Sequence, residues 1–88
     1  MVQKNTKVKN RAGLHARPAA MIVQTASKFE ATIFIEKGTE KINAKSIMGI
    51  LTMGAGYDAE VVISAEGADE QGALDALFTL FENRFEEE

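Results

Sequence analysis

A single proline restricts where the first helix of this 88-residue chain can begin. Proline holds φ near the helical value but has no N–H to donate, so Pro18 fits the first turn of a helix and not its middle. The residues after it repeat apolar side chains at helical spacing, which predicts a helix over residues 16–28. His15 then lies directly before that helix, where unpaired N–H groups and the positive end of the helix dipole favour an anion.

Hydrophobic periodicity along the chain predicts the element order βαββαβα. Predicted strands, with alternating apolar or β-branched residues, cover 2–8, 31–36, 40–44 and 60–65; predicted helices cover 16–28, 47–53 and 70–84. Ser46 and Asp69 are predicted to cap the second and third helices. Because the sheet and the helices each have one apolar face, the pattern predicts a single two-layer α+β domain over residues 1–88, with the strand order left open.

Composition argues against several classes of function. The chain has no cysteine, so it has no disulfide framework and no thiolate metal site. Its single histidine argues against a zinc cluster. A net charge of −3 argues against general nucleic-acid binding. The sequence shows no signal-peptide core and no apolar run of membrane-spanning length, so we expect a cytoplasmic protein without membrane contact. No carboxylate pair, catalytic triad or nucleotide-binding glycine loop supports a stand-alone enzyme, and we expect no cofactor.

Charge is divided unevenly between the two ends of the chain. Residues 1–17 contain five basic residues and no acid, whereas residues 66–88 contain eight acids and one base. Two interpretations stay open: a solvated surface, or a basic region around His15 that attracts acidic partner surfaces. We expect the acidic tail to be a frayed terminus. No acid lies within ten residues of His15 on either side, so we expect no general base beside its ring.

Three stretches share their residue order and spacing with one known family. They are G-L-H-A-R-P-A at 13–19, K-S-I-M-G-I-L at 45–51 and I-S-A-E-G-A-D-E at 63–70. They resemble, in turn, the active-site signature, the regulatory serine segment and the last strand with its following turn in the HPr family. HPr proteins are the histidine-containing phosphocarriers of the bacterial phosphoenolpyruvate-dependent sugar phosphotransferase system. The resemblance covers nearly the whole chain. It implies an open-faced β-sandwich, a four-stranded antiparallel sheet with three helices on one face.

The resemblance also implies a chemical role for His15 and its neighbour. Nδ1 of His15 would accept a phosphoryl group from enzyme I, which takes it from phosphoenolpyruvate, and pass it to an enzyme IIA component. Arg17 would pair with the phosphoryl oxygens, because a guanidinium presents several donors in one plane. Such a phosphocarrier is not itself an enzyme, and we expect a monomer. The alternative is a regulatory phosphorelay or corepressor-type binding protein without a sugar-transport role.

The predicted second helix is apolar nearly all round, so some of it must be core, and burial of all its apolar residues is one interpretation. We expect Ile50 and Met53 to be buried. The resemblance assigns the remaining apolar residues to the surface that binds enzyme I and enzyme II components: Ile47, Met48 and Leu51. It also implies that Ser46 is phosphorylated by HPr kinase/phosphorylase, with a catabolite-control repressor as a partner of the modified protein.

The uncovered face of the sheet is expected to carry a small apolar patch formed by Phe34 and Val62. Two interpretations stay open for this patch. It is either tolerated surface, which is common in folded proteins, or a weak self-association site.

Overall fold

The computed structural model, which describes residues 1–87, contains four strands and three helices in the predicted order. The elements are β1 (Val2–Lys7), α1 (Ala16–Ala26), β2 (Thr32–Lys37), β3 (Glu40–Asn43), α2 (Ile47–Met53), β4 (Glu60–Glu66) and α3 (Glu70–Glu82), followed by a left-handed turn at Arg84–Glu86. The predicted bounds lie within two residues of the observed ones at every end. Glu88 lies outside the described residues.

The strands form one antiparallel sheet in the order β1-β4-β2-β3. Ile35 lies at its centre, paired with Ile63 of β4 on one side and Ile42 of β3 on the other. Side chains alternate between the two faces, so Ile33 and Ile35 are buried while Phe34 between them is only half-buried. The helices cover the buried face. The predicted open-faced β-sandwich is therefore confirmed.

The open face carries Phe34 as expected, with Val62 also half-buried. The ammonium group of Lys41 lies 4.5 Å from the centre of the Phe34 ring. A lysine in this position shields part of the ring from water and offers it a cation–π contact. Both interpretations of this patch, tolerated surface and weak self-association, stay open.

The apolar stripe of α3 packs on the sheet, that of α1 packs against α3, and both contribute to one core. The buried side chains are Ala19, Ile22 and Ala26 of α1, with Ala73, Leu74, Leu77 and Phe81 of α3. Two residues of the predicted stripes, Val23 and Phe78, are only half-buried. The ammonium group of Lys4 lies 4.2 Å from the centre of the Phe78 ring, so this ring marks the edge of the core.

Asp69 stands at the N-cap position of α3, but its side chain does not cap that helix. Its carboxylate instead accepts hydrogen bonds from the N–H groups of Glu30 and Ala31, each at 2.9 Å. The prediction of a side-chain cap is wrong because two N–H groups just before β2 take the carboxylate. Gly67 permits this close approach: its φ is +150°, and a Cβ there would lie 2.8 Å from the Cα of Ala31.

The end of the chain folds back onto the domain, and the expectation of a frayed acidic tail is wrong as far as Glu87. Phe85 is fully buried, and its ring meets that of Phe81 edge-on at 4.8 Å. Arg84, Phe85 and Glu86 all have positive φ, between 52° and 61°. This conformation is unfavourable for non-glycine residues, so it persists because the burial of Phe85 holds it. We call residues 84–87 the C-terminal hook.

Candidate functional site

His15 occupies the N-cap position of α1, as the position of Pro18 predicts. Its backbone is extended, with φ −83° and ψ −166°, and its side chain makes no capping hydrogen bond to the helix. Its carbonyl oxygen accepts the first helical bond, from the N–H of Ala19 at 3.0 Å. The N–H groups of Ala16 and Arg17 donate to no acceptor within residues 1–87. The imidazole is 43% exposed, so the ring is open to a partner beside a helix start that favours anions.

The loop before His15 is held against the loop after α2. The N–H of Leu14 donates to the carbonyl of Ala55 at 2.9 Å, and the Leu14 side chain is buried. Gly13 has a φ of +76°, and a Cβ at this position would lie 2.8 Å from the Ala55 carbonyl oxygen. Only glycine fits both the conformation and the contact. The two loops therefore fix the starting point of α1 relative to the end of α2.

The C-terminal hook places a carboxylate beside the histidine ring. Oε2 of Glu87 lies 3.0 Å from Nε2 of His15, and Oε1 lies 3.2 Å from the same nitrogen. Oε1 also accepts a hydrogen bond from Nδ2 of Asn10 at 3.0 Å. A guanidinium nitrogen of Arg17 is 3.9 Å from Oε2. No acid lies within ten residues of His15 in the sequence, and this carboxylate comes from the opposite end of the chain.

Asn10 determines how the Glu87 carboxylate is held. It is fully buried, and its Nδ2 donates both to Glu87 and to the Gly13 carbonyl, at 2.7 Å for the latter. An amide nitrogen has two hydrogens, so both acceptors are satisfied in this one orientation. Hydrogen bonds from Asn10 and then from His15 lower the pKa of Glu87, and the charge of Arg17 acts in the same direction. Glu87 is therefore ionised at neutral pH.

Sequence reasoning missed Asn10 and Glu87. Glu87 is separated from His15 by 72 positions, and no local pattern joins them. One signal was available: Phe85 is an apolar residue inside an acidic tail, four positions after Phe81 on the stripe of α3. That signal indicates an anchored end, although it does not say where the next carboxylate points.

Helix α2 divides its apolar residues between core and surface. Ile50 and Met53 are buried, as expected. The residues expected on the surface are exposed: Ile47 by 41%, Met48 by 68% and Leu51 by 39%. Helices α1 and α2 are in contact, so this exposed apolar group belongs to a helix that packs against the one that His15 precedes. We call residues 47, 48 and 51 the α2 patch.

Ser46 caps α2 as predicted. Its Oγ accepts a hydrogen bond from the N–H of Gly49 at 3.0 Å, and its backbone is extended. Its side chain therefore lies at the start of the helix that carries the α2 patch. A cap of this kind stabilises a helix by about 1 kcal/mol.

The basic N-terminal residues meet acids of the same chain. Lys9 and Glu82 form a close ion pair at 2.7 Å, and Lys7 lies 3.8 Å from Asp58. With Arg17 beside Glu87, Arg11 is the exposed base near His15 that has no ion pair within residues 1–87. Compensation inside the chain reduces the field available to attract acidic partners.

Other kinds of site find no support in the described part of the chain. Residues 1–87 contain no cluster of three metal-ligating side chains. Across the same range, every helix is too short or too polar to cross a membrane.

The comparisons with known proteins decide the family. The family model described as "PTS HPr component phosphorylation site" matches residues 2–83. The chain belongs to the PTS HPr family. It is 53% identical to the phosphocarrier protein HPr of Treponema pallidum, and the match covers all of both chains.

Solved HPr structures agree with the fold. The crystal structure of HPr-C-His from Thermoanaerobacter tengcongensis superposes with a TM-score of 0.96 at 52% identity, over 100% of this chain and 99% of that one. A second HPr relative is Crh of Bacillus subtilis, a catabolite repression protein described as a swapped dimer. It superposes with a TM-score of 0.77 at 43% identity, over 96% and 97% of the two chains.

Proposed function

We propose that this HPr protein carries phosphoryl groups on His15 from enzyme I to enzyme IIA components during sugar uptake. The observation that carries the proposal is the exposed His15 imidazole at the start of α1 in a chain of the HPr family. Nδ1 is the acceptor atom, since Nε2 already faces Glu87. The protein is a carrier and not an enzyme, because partners supply the rest of each transfer site. It acts in the cytoplasm, where phosphoenolpyruvate is available, and needs no cofactor.

Arg17 and the N–H groups at the start of α1 stabilise the negative charge of the phosphoryl group. The Arg17 side chain is 59% exposed and its contact with Glu87 is long, at 3.9 Å, so it is free to turn toward an arriving phosphate. Guanidinium groups pair well with phosphoryl oxygens. The N–H groups of Ala16 and Arg17 are further donors at the positive end of the α1 dipole.

The α2 patch is the part of the surface that we assign to partner binding. Apolar side chains that stay exposed in a folded domain favour an interaction site. Met48 is the most exposed of the three, and methionine adapts to several partner surfaces. Enzyme I and the enzyme IIA components are the expected partners.

Ser46 is the proposed regulatory site. A phosphate on its Oγ meets free N–H groups at the start of α2, which the helix tolerates. The same charge lies next to the α2 patch, which we assign to contact with an apolar partner surface. Removing water from the phosphate at that interface costs free energy and weakens binding. HPr kinase/phosphorylase is the proposed modifying enzyme, and a catabolite-control repressor with a basic pocket is the proposed partner of the modified protein.

A second function is favoured by one observation, the 43% identity to Crh, which is described as a catabolite repression protein. In this alternative the chain is a regulatory phosphorelay or corepressor-type protein with no role in transport. Onward transfer separates the two functions. A carrier passes its phosphoryl group to an enzyme IIA component, whereas a purely regulatory protein does not. We expect a monomer, although this Crh relative is a dimer.

The test is phosphorylation with purified enzyme I and radiolabelled phosphoenolpyruvate. We expect one acid-labile label on the wild-type chain and none on His15→Ala, with the two proteins melting at similar temperatures. A known HPr protein labelled by the same enzyme I serves as the control. Acid-labile label on His15→Ala, or no label on the wild type while the control is labelled, would contradict the proposal.

A further inference from the structure

We propose that Glu87 is a positioning residue that holds the His15 proton on Nε2 and so leaves the lone pair on Nδ1. The role of this tautomer in phosphoryl transfer rests on the proposed phosphocarrier function. The arrangement of the two side chains does not depend on that function.

The geometry of the pair permits one tautomer. Both oxygens of the Glu87 carboxylate lie within hydrogen-bond distance of Nε2, at 3.0 and 3.2 Å. An ionised carboxylate has no proton to donate, so a favourable contact requires an N–H on Nε2. In a neutral imidazole, one nitrogen carries the proton and the other accepts. Nδ1 is then the basic nitrogen of the neutral ring.

The carboxylate is held more firmly than an exposed side chain would be. The Glu87 side chain is 15% exposed, whereas that of His15 is 43% exposed. Buried Asn10 fixes Oε1 at 3.0 Å, and buried Phe85 anchors the hook two residues earlier. The hook also keeps three successive residues in a left-handed conformation that is unfavourable without this anchor. The core holds this unfavourable backbone in place, so the contact between Glu87 and His15 is part of the fold and is not formed by a loose tail.

The tautomer matters because phosphoryl transfer then needs no proton movement on the ring. The Nδ1 lone pair forms the new N–P bond while the bond from phosphorus to the donor nitrogen of enzyme I breaks, and that electron pair leaves with the donor. The ring now carries the phosphoryl group on Nδ1 and the proton on Nε2, so it is an imidazolium stabilised by the Glu87 carboxylate. Onward transfer reverses these steps and returns a neutral ring with the same proton. A carboxylate has the same orienting role toward histidine in hydrolase triads.

The experiment compares Glu87→Ala with Glu86→Ala, which removes the same charge one position away. Glu86 is exposed, and its side chain makes no hydrogen bond or ion pair within residues 1–87. With ¹⁵N-labelled histidine, the ring-nitrogen shifts at alkaline pH report where the proton lies. We expect only the Nε2–H form in the wild type and in Glu86→Ala, and a measurable share of the Nδ1–H form in Glu87→Ala. Identical spectra for all three proteins would overturn the proposal.

Transfer kinetics provide the second measurement. We expect Glu87→Ala to lower kcat for phosphorylation by enzyme I about tenfold or more, by analogy with the orienting partners of metal-bound histidines, with KM unchanged. Glu86→Ala should match the wild type. If Glu87→Ala and Glu86→Ala have equal kcat, Glu87 has no positioning role in transfer.

The two measurements separate failure of this inference from failure of the proposed function. The spectra require no partner protein. If enzyme I labels none of the proteins, the phosphocarrier function fails while the tautomer result still stands. Both variants keep Phe85, which anchors the C-terminal hook. Their urea unfolding midpoints, compared with that of the wild type, check that the hook remains folded.

Discussion

Arg17 has one anionic neighbour in the unmodified protein and would gain a second after phosphorylation. Its guanidinium is mostly exposed and lies 3.9 Å from the Glu87 carboxylate. Exposed ion pairs at such distances add little to stability, because water screens the charges and the side chains lose freedom. The positive charge is therefore available for a phosphoryl group on His15 at small cost to the fold.

Replacing Arg17 with glutamine should slow transfer more than it affects folding. We expect Arg17→Gln to lower the rate of phosphorylation by enzyme I at least tenfold, because a neutral amide stabilises the phosphoryl oxygens less than a guanidinium does. The melting temperature should change little. Arg11→Gln is the matched control, since Arg11 is an exposed base of the loop that precedes α1 and has no ion pair in residues 1–87. Equal losses in the two variants would mean that only general charge matters.

At the scale of elements, α2 combines a capped start with an exposed apolar surface. The Ser46 hydroxyl satisfies the N–H of Gly49, and Gly54 ends the helix in a left-handed conformation. Ile50 and Met53 anchor the helix in the core, and the three residues of the α2 patch remain exposed to a partner.

A negative charge on the α2 patch, or at Ser46 beside it, should weaken partner binding without unfolding the domain. We expect Met48→Asp and Ser46→Asp each to raise KM for phosphorylation by enzyme I about tenfold or more, because the charge must lose water at the interface. Thr52→Asp is the control, since Thr52 is an exposed residue of the same helix outside the patch. Binding by calorimetry and unfolding in urea are the measurements. Unfolding of Met48→Asp, or a full effect from Thr52→Asp, would contradict the assignment of the patch.

At the scale of the whole molecule, the two ends of the chain are joined by charge as well as by packing. The basic N-terminal segment meets the acidic end at Lys9–Glu82 and at Arg17–Glu87. The pKa of each acid in these pairs is lowered, mainly by Lys9 for Glu82 and by Asn10 for Glu87. Hydrogen bonds from Glu30 and Ala31 also lower the pKa of Asp69. Ionised carboxylates therefore hold the terminal segment and the start of α3 in place.

Acid should destabilise the domain through these groups. Because their pKa values are lower in the folded chain, the unfolded chain takes up protons first as the pH falls. The stabilisation is fully present above the ordinary values, 3.8 for aspartate and 4.5 for glutamate, and is lost as the pH falls through the lower folded values. We expect the urea midpoint to fall between about pH 6 and about pH 3.

Asp69→Asn tests the carboxylate that accepts backbone hydrogen bonds from Glu30 and Ala31. An amide accepts the two N–H bonds less well, so the variant should be less stable at neutral pH and should show a shallower acid dependence. Asp75→Asn is the control, because exposed Asp75 is paired only with Gln71 of its own helix within residues 1–87. The expectation fails if Asp69→Asn and Asp75→Asn follow the same curve.

Local features of the sequence were sufficient to predict the elements and the position of His15. Pro18 limits the start of α1, Ser46 caps α2 and apolar periodicity separates helices from strands, because each of these effects acts within one or two turns of chain. The three motifs at 13–19, 45–51 and 63–70 together were sufficient for the resemblance that the family comparison confirmed. The strand order was predicted from that resemblance, since periodicity does not distinguish among pairings.

Only the tertiary structure decided what surrounds the histidine ring. The contact of Glu87 with His15 joins positions 72 apart, and Asp69 reaches Ala31 across 38. Both depend on where a buried group anchors the backbone: Phe85 against Phe81 for the hook, and Gly67 against Ala31 for the turn. Long-range contacts of this kind follow from the packing of the whole core, which no short segment determines. For that reason the residues next to His15 in the sequence did not indicate the carboxylate that the folded chain places against its ring.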